Sequence, residues 1–140
     1  MPDDGNGQAG VGPPAEQLIA VEFARVLGSG REALVVTVTG EIDLHTVARF
    51  RAAVADGLEQ VAADETDGLA LVIDLRDVSF LGSPGLQALV EVTRAARRRR
   101  EPLRIVVNHT RPVVRPIELT GLDGLLALYN TVDQALHTGA

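Results

Sequence analysis

The run LALVIDL, Leu69 to Leu75, is the feature that most limits how this chain can fold. It is almost continuously apolar, too short for an ordinary helix, and free of the polar alternation that marks a strand with one wet face. Such a segment reads as a strand covered on both faces by helices, which is the environment of a central strand in a parallel sheet. The rest of the chain must supply its neighbours and its covering layers.

Upstream, Ile19, Val21 and Phe23 alternate with Ala20, Glu22 and Ala24, the period-two pattern of a half-exposed strand. LGSGRE, Leu27 to Glu32, supplies a turn. A second alternation then sets Leu34, Val36 and Val38 on one face and Val35, Thr37 and Thr39 on the other. Two such runs joined by a short Gly-containing link predict an antiparallel hairpin. After TGEID the period changes: Val47, Phe50, Val54, Leu58 and Val61 line one face of a helix, with Asp43 at its N-cap.

Downstream of the central run, VSFLGSPGL (Val78 to Leu86) makes a turn into a second helix that carries Leu86, Leu89, Val90 and Thr93 inward and ends in Arg97 to Arg100. PLRIVV is the fourth strand. TRPVVRPIELTGLDGL holds a short third helix closed by Gly121, with Pro116 inside it expected to delete a hydrogen bond. LALYN and TVDQAL supply a fifth strand and a last helix, capped by Asn130 or Thr131. This order predicts an α/β fold: a four- to five-stranded mixed sheet, opening with a β-hairpin and continuing through right-handed βαβ crossovers, packed with about four helices.

Residues 1–15 are rich in Gly, Pro and Asp with little apolar bulk and read as a disordered tail, leaving 16–140 as one domain. At 140 residues and 46% hydrophobic content, that domain can bury a core without staples. The chain has no cysteine, which excludes disulfides and thiol chemistry. A net charge of -6 argues against partners bound mainly through their phosphates, such as nucleic acid. The N-terminus lacks the basic residues and apolar core of a secretory signal, and no apolar run is long enough to span a membrane, so a cytoplasmic location is expected.

The two crossover helices start directly after two strands that the topology makes parallel, so Asp43 and Ser83 are expected at the same carboxyl edge of the sheet. Capping alone accounts for Ser83, with Pro84 at the first helical position. A serine there is also well placed to hold a phosphoryl group against the helix N-terminus. A nucleophile is the third reading, but the G-x-S-x-G elbow fails because Leu81 stands where its first glycine belongs, leaving only Gly85, and neither His109 nor His137 has a spacing that makes it a base. A Walker-type phosphate loop lacks its Lys. Capping also explains Asp43, and Glu41 and His45 read as polar surface beside it. The arginines Arg94 and Arg97 to Arg100 suit a solvated helix C-terminus, since no aromatic residues interleave to stack bases.

VTGEIDLHT, then LVIDLRDVSFLGSPGLQALVEV, then TGLDGLLALYNTVDQAL together resemble the STAS domain family, specifically the bacterial anti-sigma factor antagonists, from about Leu18 to Leu136. The resemblance implies a STAS fold and a regulatory, non-catalytic role. The unphosphorylated protein would bind an anti-sigma factor, a serine kinase of the histidine-kinase-like ATPase type, and so free a sigma factor for transcription in a stress response. Phosphorylation at Ser83 would dissociate the complex, and a PP2C-type phosphatase would restore it. The implied contact surface comprises Glu41, Asp43, His45, Gly82, Ser83, Pro84, Gly85 and Gln87, with no cofactor, metal or catalytic residue. This chain departs from the family's usual Asp-Ser-Ser or Asp-Ser-Thr triplet in having Gly82, Ser83 and Pro84. That departure predicts slower modification, or a STAS scaffold or small-ligand-sensing module used without phosphorylation.

Overall fold

The computed structural model describes residues 19–64, 68–98, 103–108, 110, 114–122 and 126–137. The expected tail, the strand start at Leu18, and Arg99 and Arg100 of the basic run lie outside the described residues. Within them the chain forms β1 (Ile19–Gly28), β2 (Arg31–Ile42), α1 (Val47–Ala63), β3 (Ala70–Leu81), α2 (Ser83–Arg98), β4 (Leu103–Val106), α3 (Val114–Leu119), β5 (Leu128–Tyr129) and α4 (Val132–His137). The five strands make one sheet in chain order, β1 antiparallel to β2 and all later pairs parallel.

The hairpin is closed by Ser29 and Gly30, whose φ values of 50° and 74° match the twist that a two-residue turn must have. Leu34, Val36 and Val38 of β2 and Leu71, Ile73 and Leu75 of β3 enter the larger core, under α1, α2 and α3. Val35, Ala70 and Val72 point the other way, onto Ala135 and Leu136 of α4. The central run is therefore covered on both faces, as its composition required. All five apolar positions expected on the first helix are buried.

Four expectations need correction. Val78 to Leu81 continue β3 instead of turning, because β2 extends to Ile42 and offers them parallel partners through two register shifts. On α2 the inward residues are Gly85, Ala88, Leu89, Val92, Thr93 and Ala96, with Leu86 and Val90 only half-buried. Leu89 and Thr93 are buried as expected and half-buried Leu86 still packs against the core, so the buried stripe is rotated by roughly one residue from the expected one. Pro116 deletes nothing, since it falls in the first turn of α3, where an N–H has no intrahelical acceptor. Gly121, at φ 73°, closes the chain after that helix as expected. The fifth strand is only two residues long, and Thr131 caps α4 by accepting the Gln134 N–H at 3.0 Å.

Two buried polar groups have contrasting fates. Asp74, on the α4 side of β3, accepts the Arg76 guanidinium through both oxygens at 3.0 and 2.8 Å. Hydrogen bonding to Asp74 raises the Arg76 guanidinium above its ordinary range. The Thr93 hydroxyl, in contrast, has no hydrogen-bond partner among the described residues although the side chain is 3% exposed. Replacing it with the isosteric apolar residue removes that desolvation cost. Thr93→Val is expected to stabilise the fold by ~1 kcal/mol in urea denaturation, and a loss of stability would refute the account.

Candidate functional site

Ile42 and Leu81 are register partners at the carboxyl ends of β2 and β3, and the Gly82 N–H donates to the Ile42 carbonyl at 2.9 Å. Asp43 and Gly82 therefore leave the sheet side by side, and the two helix starts share one rim. Forty positions of sequence separate Asp43 from Ser83, yet parallel pairing of the two strands brings their helix starts together.

Asp43 organises the first of these starts, although the helix begins later than the sequence suggests. Its carboxylate accepts the N–H groups of His45 (2.9 Å) and Thr46 (3.1 Å), and its carbonyl accepts those of Thr46 and Val47. Asp43 thus caps a turn that feeds α1, and Thr46 occupies the cap position itself without a side-chain cap bond. Thr46 is fully buried; its hydroxyl donates to the Glu41 carbonyl at 2.7 Å and accepts the Asp43 N–H at 2.9 Å. Sequence reasoning missed Thr46, although a threonine three residues after an Asp is a recognisable partner for it. Thr46→Val would take the hydroxyl partner from two part-buried backbone groups, the Glu41 carbonyl and the Asp43 N–H, and is expected to lose ~1 kcal/mol in thermal or urea denaturation. An unchanged midpoint would show that the knot is not stabilising.

The second start is shifted by one residue from expectation. The Leu86 N–H donates to the Gly82 carbonyl at 3.0 Å, so Gly82 is the capping position, Ser83 the first helical residue and Pro84 the second. The cause is the bond that ties Gly82 to Ile42, which fixes its carbonyl as the first helical acceptor. Ser83 is consequently exposed, and among the described residues its hydroxyl has no hydrogen-bond partner. Gly85 is buried: a Cβ there would lie 2.5 Å from Leu81 Cδ1 and 2.8 Å from Ile42 Cγ2. Only glycine lets α2 leave the rim this closely.

Around this pair, Glu41, His45 and Gln87 are exposed, and the Gln87 amide donates to Glu91 at 3.4 Å. Glu91 in turn binds Arg51 at 2.9 Å, bracing α2 against α1. Two apolar side chains that sequence reasoning did not single out flank the rim, Leu44 at 75% and Phe80 at 50% exposed. The Phe80 ring lies beside Gly82, 3.2 Å from where a Cβ would stand. Strict alternation would have set Phe80 on the same face as buried Val78; the register shift between Val78 and Phe80 breaks that alternation and leaves the ring exposed, so no local pattern gave it. Polar edges around two exposed apolar side chains suit recognition of another protein. Among the described residues there is no cluster of three or more His, Asp or Glu with metal-binding geometry, and no helix is long and apolar enough to cross a membrane.

The chain is 38% identical over 103 residues to the anti-sigma-F factor antagonist RsfB of Mycobacterium tuberculosis, covering 73% of this chain and 77% of RsfB. It superposes on the crystal structure of an anti-sigma factor antagonist from Mycobacterium paratuberculosis with a TM-score of 0.63 at 33% identity, covering 84% of this chain and 92% of that one. The unphosphorylated form of the anti-sigma factor antagonist SpoIIAA shares the fold, with a TM-score of 0.56 at 21% identity over 82% of this chain and 93% of that one. The family model of the STAS domain matches residues 25–135, a span that contains both helix starts of the rim, and this chain therefore belongs to the STAS domain family.

Proposed function

We propose that this protein is an anti-sigma factor antagonist, a regulatory module without catalytic activity that acts in the cytoplasm through the Asp43–Ser83 rim. The observation that carries the reading is the exposed Ser83 in the first turn of α2, on the same rim as Asp43 and as exposed Leu44 and Phe80. Its unphosphorylated form binds an anti-sigma factor, a serine kinase of the histidine-kinase-like ATPase type, and so frees a sigma factor. Glu41, Asp43, His45, Gly82, Pro84, Gly85 and Gln87 frame the contact. The kinase modifies Ser83 and dissociates the complex, and a PP2C-type phosphatase reverses the step. Relatives described as anti-sigma factor antagonists support the general role.

The test is incubation with the cognate kinase and ATP, followed by mass-spectrometric mapping of the product. Phosphate on Ser83, absent from Ser83→Ala, is the expected result; label persisting in that variant refutes the site.

Gly82 supports a second reading, in which the domain is a constitutive scaffold or small-ligand sensor, because it supplies no carboxylate next to the hydroxyl. The two readings separate at this residue. Gly82 carries no positive φ, and the half-exposed Phe80 ring is the nearest obstacle to a side chain there. Gly82→Asp is expected to be tolerated, to stabilise the helix start by a few tenths of a kcal/mol, and to raise the rate of Ser83 phosphorylation several-fold. An unchanged rate in a kinase assay favours the second reading.

A further inference from the structure

Half of the large apolar side chains that the described residues leave exposed sit on one element, β1: Phe23 at 38%, Val26 at 37% and Leu27 at 72%. β1 is also the edge of the sheet, ten residues long without proline or bulge, and among the described residues no strand pairs with its outer side. A long regular edge with apolar side chains is a template for another strand. The two-residue turn makes Gly28 and Arg31 a hydrogen-bonded pair, so Val21, Phe23, Arg25 and Leu27 direct their own N–H and C=O groups outward.

We propose that the occupant of this edge is a second copy of the chain, paired antiparallel through β1 about a two-fold axis at Ala24. A two-fold perpendicular to the sheet keeps each residue on its own face, so only positions of equal parity can be opposite. Centred on Ala24, the register sets Leu27 opposite Val21, Arg25 opposite Phe23 and Val26 opposite Glu22 of the other copy. All three exposed apolar side chains are then covered. Leu27 of one copy also meets an open groove of about 550 Å³ in the other, floored by Ala48 and Ala52 of α1 and walled by Val21, Phe23 and Arg49. The guanidinium over Phe23 is a favourable cation–π arrangement. Arg25 is held for it by Asp64 and Glu32 at 2.8 and 2.9 Å, which also offset the diagonal approach of the two Arg25 side chains. Moving the axis to Phe23 would instead place the two Glu22 carboxylates diagonally, with no such neutralising partners. Ser83, at the α2 start beyond β3, lies two strands away from β1, whereas His45 of the rim lines the groove that Leu27 enters, so each dimer presents two Ser83 sites.

The absence of cysteine from the chain makes a direct test available. Opposed Ala24 residues form a pair whose close approach suits a disulfide. In the full-length protein, sedimentation equilibrium is expected to give twice the chain mass. Ala24→Cys is expected to cross-link under mild oxidation, and Ala20→Cys and Phe23→Cys to do so at least ten-fold more slowly. Ala24→Asp, exposed in the single chain and opposed to its own charge in the pair, is expected to be monomeric with an unchanged circular-dichroism spectrum. A wild-type monomer at the highest soluble concentration, or cross-linking no faster at 24 than at 20 or 23, overturns the proposal. If Ala24→Asp fails to fold, the wild-type mass and the cysteine series still decide, and neither outcome bears on phosphorylation of Ser83.

Discussion

Gly85→Val is expected to destabilise the domain by ~3 kcal/mol, near the upper end of what overpacking costs. The β-carbon alone would stand 2.5 Å from Leu81 Cδ1 and 2.8 Å from Ile42 Cγ2. Both neighbours are core residues at the ends of paired strands, 4% and 0% exposed, so neither can swing into solvent. The chain must instead lift the first turn of α2 off the rim. Gly85→Ala tests the sign more finely, because alanine gains up to ~1 kcal/mol of helix propensity over glycine. Two contacts below 3 Å outweigh that gain, and a net loss of ~1 kcal/mol is expected for alanine. Urea denaturation of both variants gives the values. Stability equal to wild type in Gly85→Val would mean that α2 does not approach the strands as closely as the geometry requires.

Phosphorylation of Ser83, or Ser83→Asp as a weaker mimic, is expected to lower affinity for the anti-sigma partner by ~100-fold, equivalent to ~2.8 kcal/mol. The phosphoryl group brings ~1.5 to 2 negative charges to a rim that already carries Asp43 and Glu41. The Asp43 carboxylate is committed to the N–H groups of His45 and Thr46 and cannot turn aside. Pro84 has no N–H, so the first turn of α2 offers the new charge one donor fewer than another residue would. A partner seated over Leu44 and Phe80 would have to bury an incompletely compensated dianion. Ser83→Ala is expected to bind like wild type and to resist release by ATP. Titration calorimetry with the purified partner measures all three forms, and equal affinity of Ser83→Asp and wild type would favour the constitutive-scaffold reading.

How far the sequence could be read differs by region for physical reasons. The hairpin, α1 and the central strand were legible because each has a period of its own: alternation in β1 and β2, three- and four-residue spacing in α1, an unbroken apolar run in β3. The stretch from Val78 to Gly85 was misread because its structure is imposed from outside. Val78 to Leu81 are a strand because β2 runs on beside them, and Gly82 is the cap because its N–H is bound by Ile42. Neither partner is within thirty residues in sequence, so local propensity had nothing to report. Pro116 was misjudged for the opposite reason, since its effect depends on which turn of the helix it occupies, and helix starts are the least sharply encoded feature.

The residues of the rim divide in the same way. Asp43 and Ser83 could be named from sequence because polar residues at helix starts carry a local signature, and their shared edge followed from parallel topology. Leu44 and Phe80 could not, because exposure of a large apolar side chain is a property of the packed whole, and Thr46 carried only the weak local signal of a hydroxyl three residues after Asp43. What the amino-acid order determined by itself was the set of elements, their sequence and the side of the sheet where two helices begin. What only the tertiary structure decided was the register: which residue of β2 stands beside which of β3. That register sets the cap one residue before Ser83, frees its hydroxyl and demands glycine at 85, because hydrogen bonds between strands are made across distances that no local pattern spans.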